Sequence, residues 1–540
     1  MEKPRHGGHL IAQALKNEGV THLFTLSGGH IAPIYDGCVD LGIEMVDFRH
    51  EQSAAHAADG WARVTRSIGV AGVTAGPGVT DAVTGIANAF YANAPVLILS
   101  GNNPTIEFEK GSLQEMDQVT LVSSITKWAK TCYRTEALGE YATAALRHAL
   151  SGRPGPVFLD APLDVQAGMA GDADVPTGYR TEARPLGDPD YIERAARMLR
   201  EGQHPVVFAG SGVRWSGAHE ALAELATAYK APVFLNSLAR GCLPPDDPRF
   251  FSGSRRFALE DCDVLLGIGV DWDFRLGFGR KNVNPDAHVI QIDVDAVHIG
   301  RNRPVDVGIV GDPAAVIAQL LAEGIGRTDE PAWTEEVRGE EAKRRAQMEE
   351  GMESDAVPIH PYRFAREIRD FLDPDAIVVG DGGDVVGHTA AVVHSHHPGH
   401  WLDPGPLGTL GVGPGFAIAA KLARPDKQVL VVYGDGAFGL NAMEYDTAVR
   451  KNVPFVGIIG NDRAWGQTRI VQQLMYGSTP AADLGDTSYD RMVEALGGYG
   501  ERVEKPTEIR PALERAFGSG VPACINVPID SSLVRRAPYL

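Results

Sequence analysis

The stretch of residues 431–466 constrains the fold of this chain more than any other. It reads VVYGDGAFGLNAMEYDTAVRKNVPFVGIIGNDRAWG. Two apolar segments, residues 428–433 and 455–459, predict two strands that each end in a glycine-containing polar turn. The residues between them have a helical pattern, so the two strands are predicted to be parallel and to belong to an open sheet. The inward positions of this helix are predicted to be Phe438, Met443, Ala448 and Val449.

Both predicted strands are followed by an acidic side chain. Asp435 follows the first strand and Asp462 the second, and ligands bind at the carboxyl ends of the strands in an open parallel sheet. Carboxylate oxygens suit Mg²⁺, which commonly bridges a protein to phosphate oxygens. The amides of Gly436 and Ala437 begin the helix and can also receive a phosphate. An ordinary βαβ unit with polar turns is the alternative interpretation, because a single Gly-Asp-Gly run is weak support.

Composition and charge exclude several classes of protein. The net charge of −20 and the pI near 5.3 argue against nucleic acid or an anionic membrane as a partner. Five cysteines without CxxC spacing predict buried thiols in a reducing compartment, and hence a cytoplasmic protein. We expect no signal peptide and no membrane span, because no apolar run is long enough for one.

Predicted strands and helices alternate along the chain, which indicates an α/β fold with parallel sheets. A length of 540 residues suits three or four domains, and 44% hydrophobic residues suffice for large cores. We predict three open parallel-sheet domains, residues 1–168, 189–325 and 357–530, and a C-terminal tail, residues 531–540. The first and third domains could share one architecture, a question that periodicity leaves open.

The first domain contains the runs FTLSGGHIAPIYD, DFRHEQSAAHAADGWAR and GVTAGPGVTDAVTGIANAF, and the third contains GDG followed by GND. These motifs resemble those of the acetolactate synthase superfamily of thiamine-diphosphate enzymes. The resemblance implies a pyrimidine-binding first domain, a nucleotide-binding-like central domain and a diphosphate-binding third domain. It implies Mg²⁺ bound by Asp435, Asp462 and the carbonyl of Ala464, although relatives more often carry Asn-Asn at the end of this motif. It also implies a homodimer or homotetramer, in which Glu51 of one subunit meets Asp435 of another.

By the same resemblance, Glu51 is the glutamate that protonates N1′ of the aminopyrimidine and so helps thiazolium C2 to lose its proton. The residues agree, because a carboxylate at a helix start after an apolar strand can be buried and have a shifted pKa. A glutamate that only favours the helix dipole is the alternative.

Glycine-rich loops supply the other implied cofactor contacts. Leu410, in the run PGPLGTLG, would be the apolar wedge that keeps the cofactor bent, and the carbonyl of Gly408 would accept a hydrogen bond from its 4′-amino group. A core leucine in a glycine-rich turn is the alternative for Leu410. The remaining predicted cofactor contacts are Gly29, Pro77, Gly383, Asp384, Gly436 and Ala437.

The central domain is similar to the part of the superfamily that binds ADP or FAD. Asp293, in HVIQIDVD, resembles an acid that binds ribose, and Arg153, in GRPG, resembles an arginine that contacts the nucleotide. The WDFRLGFG segment departs from the arginine pattern of oxalyl-CoA decarboxylases. ADP, a vestigial FAD site and a purely structural domain therefore remain open.

Further details resemble the 2-hydroxyacyl-CoA lyases, particularly their acetolactate-synthase-like branch. The runs that carry this resemblance are SGGHI, KGSLQEMDQ, DPGPLGTLG and GNDRAWGQ. Gln114, Glu115 and His30 are predicted to act on the substrate through hydrogen bonds or proton transfer, although each could be structural instead. Arg535 and Arg536 in the tail could close over the phosphates of CoA.

The implied reaction cleaves a 2-hydroxyacyl-CoA into formyl-CoA and an aldehyde or ketone, and it can run in reverse as a condensation. One alternative is an acetolactate-forming carboligase or a decarboxylase of 2-oxoacids or oxalyl-CoA. Another is an assembly protein that kept the fold and lost the chemistry. The presence of Glu51, Asp435 and Asp462 argues against the second alternative.

Overall fold

The computed structural model describes residues 4–178, 180–324 and 326–533. It contains three parallel β-sheets of six strands each, which confirms the predicted α/β class with three open parallel sheets. Arg535 and Arg536, the proposed contacts to CoA phosphates, lie outside the described residues. In the described part of the chain, no helix is both long and apolar enough to cross a membrane.

The first sheet and its helices precede residue 168. The strands are β1 (His22–Thr25), β2 (Glu44–Asp47), β3 (Gly69–Val73), β4 (Val96–Asn102), β5 (Trp128–Thr131) and β6 (Val157–Pro162). The helices are α1 (Gly7–Asn17), α2 (Ala32–Asp40), α3 (Glu51–Thr65), α4 (Pro77–Ala92), α5 (Gln118–Val122), α6 (Leu138–Leu150) and α7 (Leu163–Ala167). The strand order across the sheet is β2-β1-β3-β4-β6-β5.

The second sheet forms the centre of the chain. The strands are β7 (Pro205–Ala209), β8 (Val233–Leu235), β9 (Phe250–Phe251), β10 (Val264–Ile268), β11 (His288–Asp293) and β12 (Val307–Val310). The helices are α8 (Pro189–Glu201), α9 (Ser211–Ser216), α10 (His219–Tyr229), α11 (Arg255–Asp261), α12 (Pro313–Ala322) and α13 (Ala332–Met352). The strand order is β12-β11-β10-β7-β8-β9, which is the doubly wound order of dinucleotide-binding folds, with the switch point between β7 and β10.

The third sheet repeats the architecture of the first. The strands are β13 (Ile377–Asp381), β14 (Trp401–Leu402), β15 (Val429–Gly434), β16 (Val456–Asn461), β17 (Tyr499–Arg502) and β18 (Ala523–Pro528). The helices are α14 (Pro361–Phe371), α15 (Asp384–Val392), α16 (Gly413–Ala423), α17 (Asp435–Asn441), α18 (Glu444–Arg450), α19 (Gly466–Tyr476), α20 (Tyr489–Ala495) and α21 (Ile509–Gly518). The order β14-β13-β15-β16-β18-β17 matches that of the first sheet strand for strand, so the first and third domains do share one topology.

The first and third domains pack together through α3 and α16. Both helices are rich in alanine, and their buried side chains belong to one hydrophobic core that includes both sheets. A Cβ atom on Gly60 would lie 2.9 Å from the Cα of Phe416, and one on Gly415 would lie 2.8 Å from the carbonyl oxygen of Ser53. These glycines therefore permit the close approach that joins the two domains.

The helix predicted between the two motif strands is wrong in one respect, because two short helices, α17 and α18, replace it. Between them the amides of Tyr445 and Asp446 bond to carbonyls three residues back, those of Ala442 and Met443, which tightens the turn. This turn leaves Met443 exposed, contrary to the prediction, and Val449 only half-buried, whereas Phe438 and Ala448 are buried.

Candidate active site

A cavity of about 440 Å³ lies at the carboxyl ends of the central strands of the third sheet. Residues that follow β13, β15 and β16 line it, because neighbouring parallel strands end at one edge of a sheet. The lining includes the predicted contacts Gly383, Asp384, Gly408, Leu410, Asp435, Gly436, Ala437, Asp462 and Ala464. The structure thus brings every cofactor and metal contact predicted in the third domain into one cavity.

The predicted metal ligands form a pair of acids that is incomplete without a cation. Asp435 is 1% exposed, and its Oδ2 atom has no hydrogen-bond partner among the described residues. Burial, and next the neighbouring Asp462 carboxylate, raise the pKa of Asp435 far above its usual range; burial also raises the pKa of Asp462. A buried carboxylate and a half-buried one cannot both ionise cheaply side by side. A divalent cation between them would remove this cost, so the residues fit Mg²⁺.

The backbone around the pair suits a phosphate group. Two helices of ordinary length begin at the cavity, α15 at Asp384 and α19 at Gly466, and helix N-termini attract anions. A Cβ atom on Gly436 would lie 2.5 Å from the ring of Trp465, so only glycine fits there. The site therefore combines two acids that can bind a cation with helix ends that can bind an anion, as a metal diphosphate requires.

Asp381 organises the loop that carries Gly408 and Leu410, and the sequence analysis missed it. This side chain at the end of β13 is fully buried, and it accepts hydrogen bonds from the amides of Gly411 and Gly413 at 2.9 and 2.7 Å. Burial raises the pKa of Asp381 to about 6. An acid at the last position of an apolar strand was the available signal.

Glu51 begins α3 in the first domain, at a separate cluster of glycine loops. It is 7% exposed, and burial raises the pKa of its carboxyl. A Cβ atom on Gly78 would lie 3.6 Å from Oε1 of Glu51, so the Gly76-Pro77-Gly78 loop lies against this acid. The predicted contact Pro77 is exposed on that loop. A planar ring could therefore approach Glu51 across the loop.

Gln118 holds this loop in place and was also missed. Its Oε1 atom accepts from the amide of Gly76 at 2.9 Å, and its Nε2 atom donates to Gly101 and Asp160. Gln118 is 1% exposed. Gln118 is the last residue of the KGSLQEMDQ run, in which only Gln114 and Glu115 are predicted to act on the substrate.

The predicted substrate residues of the first domain have different surroundings. Gln114 has a positive φ of 64° and its backbone lies against Gly76. Glu115 is half-buried, and its carboxylate accepts from the amides of Glu109, Gly111 and Ser112. Glu115 therefore shapes its own loop, whereas Gln114 is placed near the glycine loop beside Glu51.

His30 lies at the start of the same region. Its Nδ1 atom is 3.4 Å from Oγ1 of Thr74, and its carbonyl accepts from Gln166. The neighbouring Gly29 is exposed and a Cβ atom there would meet no other atom within 4 Å. Both residues are thus at the surface of the first domain, with room for a ligand.

Among the described residues, the lining of the cavity includes none from the first domain. Glu51, Gln114 and His30 therefore do not line the cavity that contains Asp435.

The central domain supplies one wall of the cavity, which the sequence analysis did not foresee. Asn236, Ser237, Arg240 and Arg275 line it. Nη2 of Arg275 lies 2.5 Å from Asp273, and the guanidinium of Arg240 lies over the Trp401 ring, 4.8 Å from its centroid. Asn236 and Ser237 follow β8, so their positions in the cavity depend on how the second and third sheets are arranged.

Arg153 and Asp293 do meet, in a separate pocket of about 190 Å³ beside the switch point of the second sheet. However, Nη2 of Arg153 is bound by Asp271 at 2.5 Å, while its Nη1 is 4.0 Å from Asp293. Nδ1 of His298 donates to the other oxygen of Asp271 at 3.1 Å. One end of the arginine that would contact a nucleotide phosphate is therefore paired with a carboxylate, while its buried Nη1 has no hydrogen-bond partner among the described residues.

The backbone amides of the glycine turn beside this pocket already have hydrogen-bond partners as well. The amides of Gly210 and Gly212 donate to the carbonyls of Ile268 and Gly269 at 2.9 and 3.0 Å, so neither can receive a phosphate. Asp293 and Asp312 also line the small pocket, and acids repel phosphate groups. The amides of Gly210 and Gly212 therefore do not fit the diphosphate of ADP or FAD.

Comparison with known proteins places these features in one family. The chain matches the families described as thiamine pyrophosphate enzyme, N-terminal TPP binding domain, central domain and C-terminal TPP binding domain. The matched residues are 5–121, 192–320 and 381–527 respectively.

Curated relatives match nearly the whole chain. A probable acetolactate synthase of Mycobacterium bovis is 44% identical over 533 residues, which cover 98% of this chain and 96% of the relative. The 2-hydroxyacyl-CoA lyase 2 of Caenorhabditis elegans is 35% identical, covering 93% and 85%. That of Homo sapiens is 32% identical, covering 97% and 90%.

Proposed function

We propose an activity from one premise: this chain belongs to the thiamine pyrophosphate enzymes, in the group that includes acetolactate synthases and 2-hydroxyacyl-CoA lyase 2. The proposed reaction is cleavage of a 2-hydroxyacyl-CoA into formyl-CoA and an aldehyde or ketone. Mg²⁺ is proposed to link thiamine diphosphate to the protein.

The residues proposed to bind the cofactor belong to the third domain, and the residue proposed to transfer a proton belongs to the first. When bound, thiamine diphosphate supplies a carbanion at C2 and accepts the electrons of the broken bond. Asp435, Asp462 and the carbonyl of Ala464 would hold the metal. Leu410 would support the bend of the cofactor, and Glu51 would hold the proton at N1′, for which a raised pKa is suitable.

The observation that supports a CoA ester is that both arginines of the cavity wall already have partners in the described part of the chain. A 2-oxoacid carries a carboxylate, which proteins usually recognise with an accessible guanidinium. Of the two arginines in the described lining, Arg275 is paired with Asp273 and Arg240 is stacked on Trp401. A thioester has no carboxylate to bind, so this wall suits it better.

An acetolactate-forming carboligase is the second proposal, favoured by the 44% identity to the relative from Mycobacterium bovis. It would use the same metal site and the same Glu51 on pyruvate. An inactive assembly protein is disfavoured, because such a protein would not need to keep a buried acid beside a second acid. The five free, buried cysteines support a reducing, cytoplasmic location.

Parallel assays with a 2-hydroxyacyl-CoA and with pyruvate test the reaction. We expect kcat/KM for cleavage of the CoA ester to exceed that for pyruvate by on the order of 10² or more, since a site without a partner for a buried carboxylate discriminates strongly. Formyl-CoA and acetolactate are measured by chromatography at saturating Mg²⁺ and cofactor. Faster formation of acetolactate would establish the carboligase instead.

We further propose that the active unit is at least a dimer, because Glu51 does not line the cavity of Asp435 in the described part of the chain. Sedimentation velocity should show a dimer or tetramer. Co-expression of Glu51→Gln and Asp435→Ala chains should yield about a quarter of wild-type activity, because a mixed dimer with two-fold symmetry has one site with both native residues. If both residues served one site in the same chain, the mixture would stay inactive.

A further inference from the structure

Asn236 is a buried amide at the edge of the cavity with an unused donor. The residue is 8% exposed and lines the cavity. Its Oδ1 atom accepts from the amide of Ser237 at 2.9 Å, which leaves the amide nitrogen as the free end. That Nδ2 atom has no hydrogen-bond partner among the described residues. A buried donor without a partner costs free energy, so its presence beside a cavity indicates that a ligand supplies the acceptor.

The neighbouring backbone is held in a strained conformation. Ser237 has a φ of 52°, a region that non-glycine residues seldom adopt and that often marks functional sites. Nη1 of Arg275 donates to Oγ of Ser237 at 2.5 Å, while its other nitrogens bind Asp273. The unit of Asn236, Ser237, Arg275 and Asp273, here called the amide wall, is thus rigid before any ligand binds.

The charge of the amide wall selects the kind of acceptor. Arg275 and Asp273 neutralise each other, so the wall presents a neutral donor to the cavity. An anionic carboxylate or phosphate would gain little from one amide, whereas the carbonyl of an amide or thioester is a matched partner. The wall also belongs to a different domain from the metal pair. A ligand that touches both therefore bridges the second and third domains within one cavity.

We propose that Asn236 Nδ2 donates a hydrogen bond to a carbonyl of the pantetheine arm of the CoA substrate. This inference rests on the proposed function, because it assigns a contact for the same thioester. The pantetheine arm carries two amide carbonyls, both neutral, on an extended chain, and free coenzyme A keeps both of them. Asn236 is then a residue that selects CoA esters over short 2-oxoacids.

Replacement of Asn236 by Asp tests the contact. Asp keeps the size and the acceptor for the Ser237 amide, and it removes the donor. We expect KM for the CoA ester to rise about 10-fold or more, as loss of one buried hydrogen bond implies, with kcat within about twofold. The Kd of free coenzyme A, measured by calorimetry on the Mg²⁺ and thiamine-diphosphate holoenzyme, should rise by a similar factor.

Asn282→Asp is the matched control, because it makes the same chemical change at an exposed position of the same domain. It should leave KM and Kd unchanged. Equal affinity of wild type and Asn236→Asp for coenzyme A would overturn the contact. A weaker dimer with unchanged affinity would also overturn it, and would assign the amide to the partner subunit. A wild type that binds no coenzyme A would refute the proposed substrate and this contact together.

Discussion

Replacement of Glu51 by Gln is expected to lower turnover by roughly 10²–10⁴, the range for loss of a positioned acid or base. Gln has the same size and can still form a hydrogen bond, but it cannot supply the acid proton to N1′. Glu51 is buried beside the glycine loop, so water cannot easily replace it. Cofactor affinity should change only a few-fold, because Glu51 is not among the residues of the metal cavity.

Two measurements distinguish catalysis from binding in this variant. Exchange of the C2 proton of bound cofactor with deuterium should slow together with turnover, since both need the same proton transfer. Excess cofactor should not restore activity. Glu140→Gln is the control, because Glu140 is an exposed glutamate in the first turn of α6 and should behave like wild type. Wild-type turnover in the Glu51→Gln variant would show that Glu51 has no catalytic role and only favours the start of the helix.

Replacement of Asp435 by Ala is expected to abolish the binding of Mg²⁺ and thiamine diphosphate together. The metal connects protein to diphosphate, so loss of one ligand weakens both. At cofactor concentrations that saturate the wild type, turnover should fall by on the order of 10³ or more, since several kcal/mol of metal stabilisation are lost. Unlike Glu51→Gln, this variant should recover partly at high Mg²⁺ and cofactor concentrations, by mass action.

Thermal unfolding gives an independent readout of the same site. Without metal, the wild type holds a buried and a half-buried acid side by side, whose burial and mutual repulsion oppose ionisation. Asp435→Asn replaces the buried acid with a neutral group of the same size, so its Tm in EDTA should equal or exceed that of the wild type. Mg²⁺ with cofactor should raise the Tm of the wild type, by mass action on the folded state, and leave that of Asp435→Asn nearly unchanged.

Asp426→Ala is the control for the metal site. Asp426 is 68% exposed in the same domain and pairs only at the surface with Lys427, and such pairs contribute little. It should keep the full response to Mg²⁺ and cofactor. An equal response in Asp435→Asn would contradict the assignment of Asp435 as a metal ligand.

Sequence alone was sufficient for the fold class and for the grouping of predicted residues in the third domain. Both depend on local order along the chain. An apolar strand followed by a glycine turn and an acid places that acid at the carboxyl end of the strand, and neighbouring parallel strands end at one edge. Asp435 and Asp462 could therefore be paired without any knowledge of distant contacts.

The break between α17 and α18 could not be predicted from the local sequence pattern. Helical periodicity alone cannot detect one tight turn, and Met443 was placed inside. The structure ties Glu444, the first residue of α18, to the first domain, where its carboxylate accepts from the amide of Arg49. That contact joins residues 395 positions apart, which no local pattern reports.

Other features were decided by tertiary structure alone, since they depend on which surfaces meet. The sequence suggested Arg153 and Asp293 as a nucleotide pair, but the structure binds Arg153 to Asp271, from a loop 118 residues away. Asn236 had no signal in the sequence, because only the contact between the second and third sheets brings it to the cavity. Local order therefore determined which acids share a sheet edge, while packing between domains decided which charges are neutralised and which donors remain for a ligand.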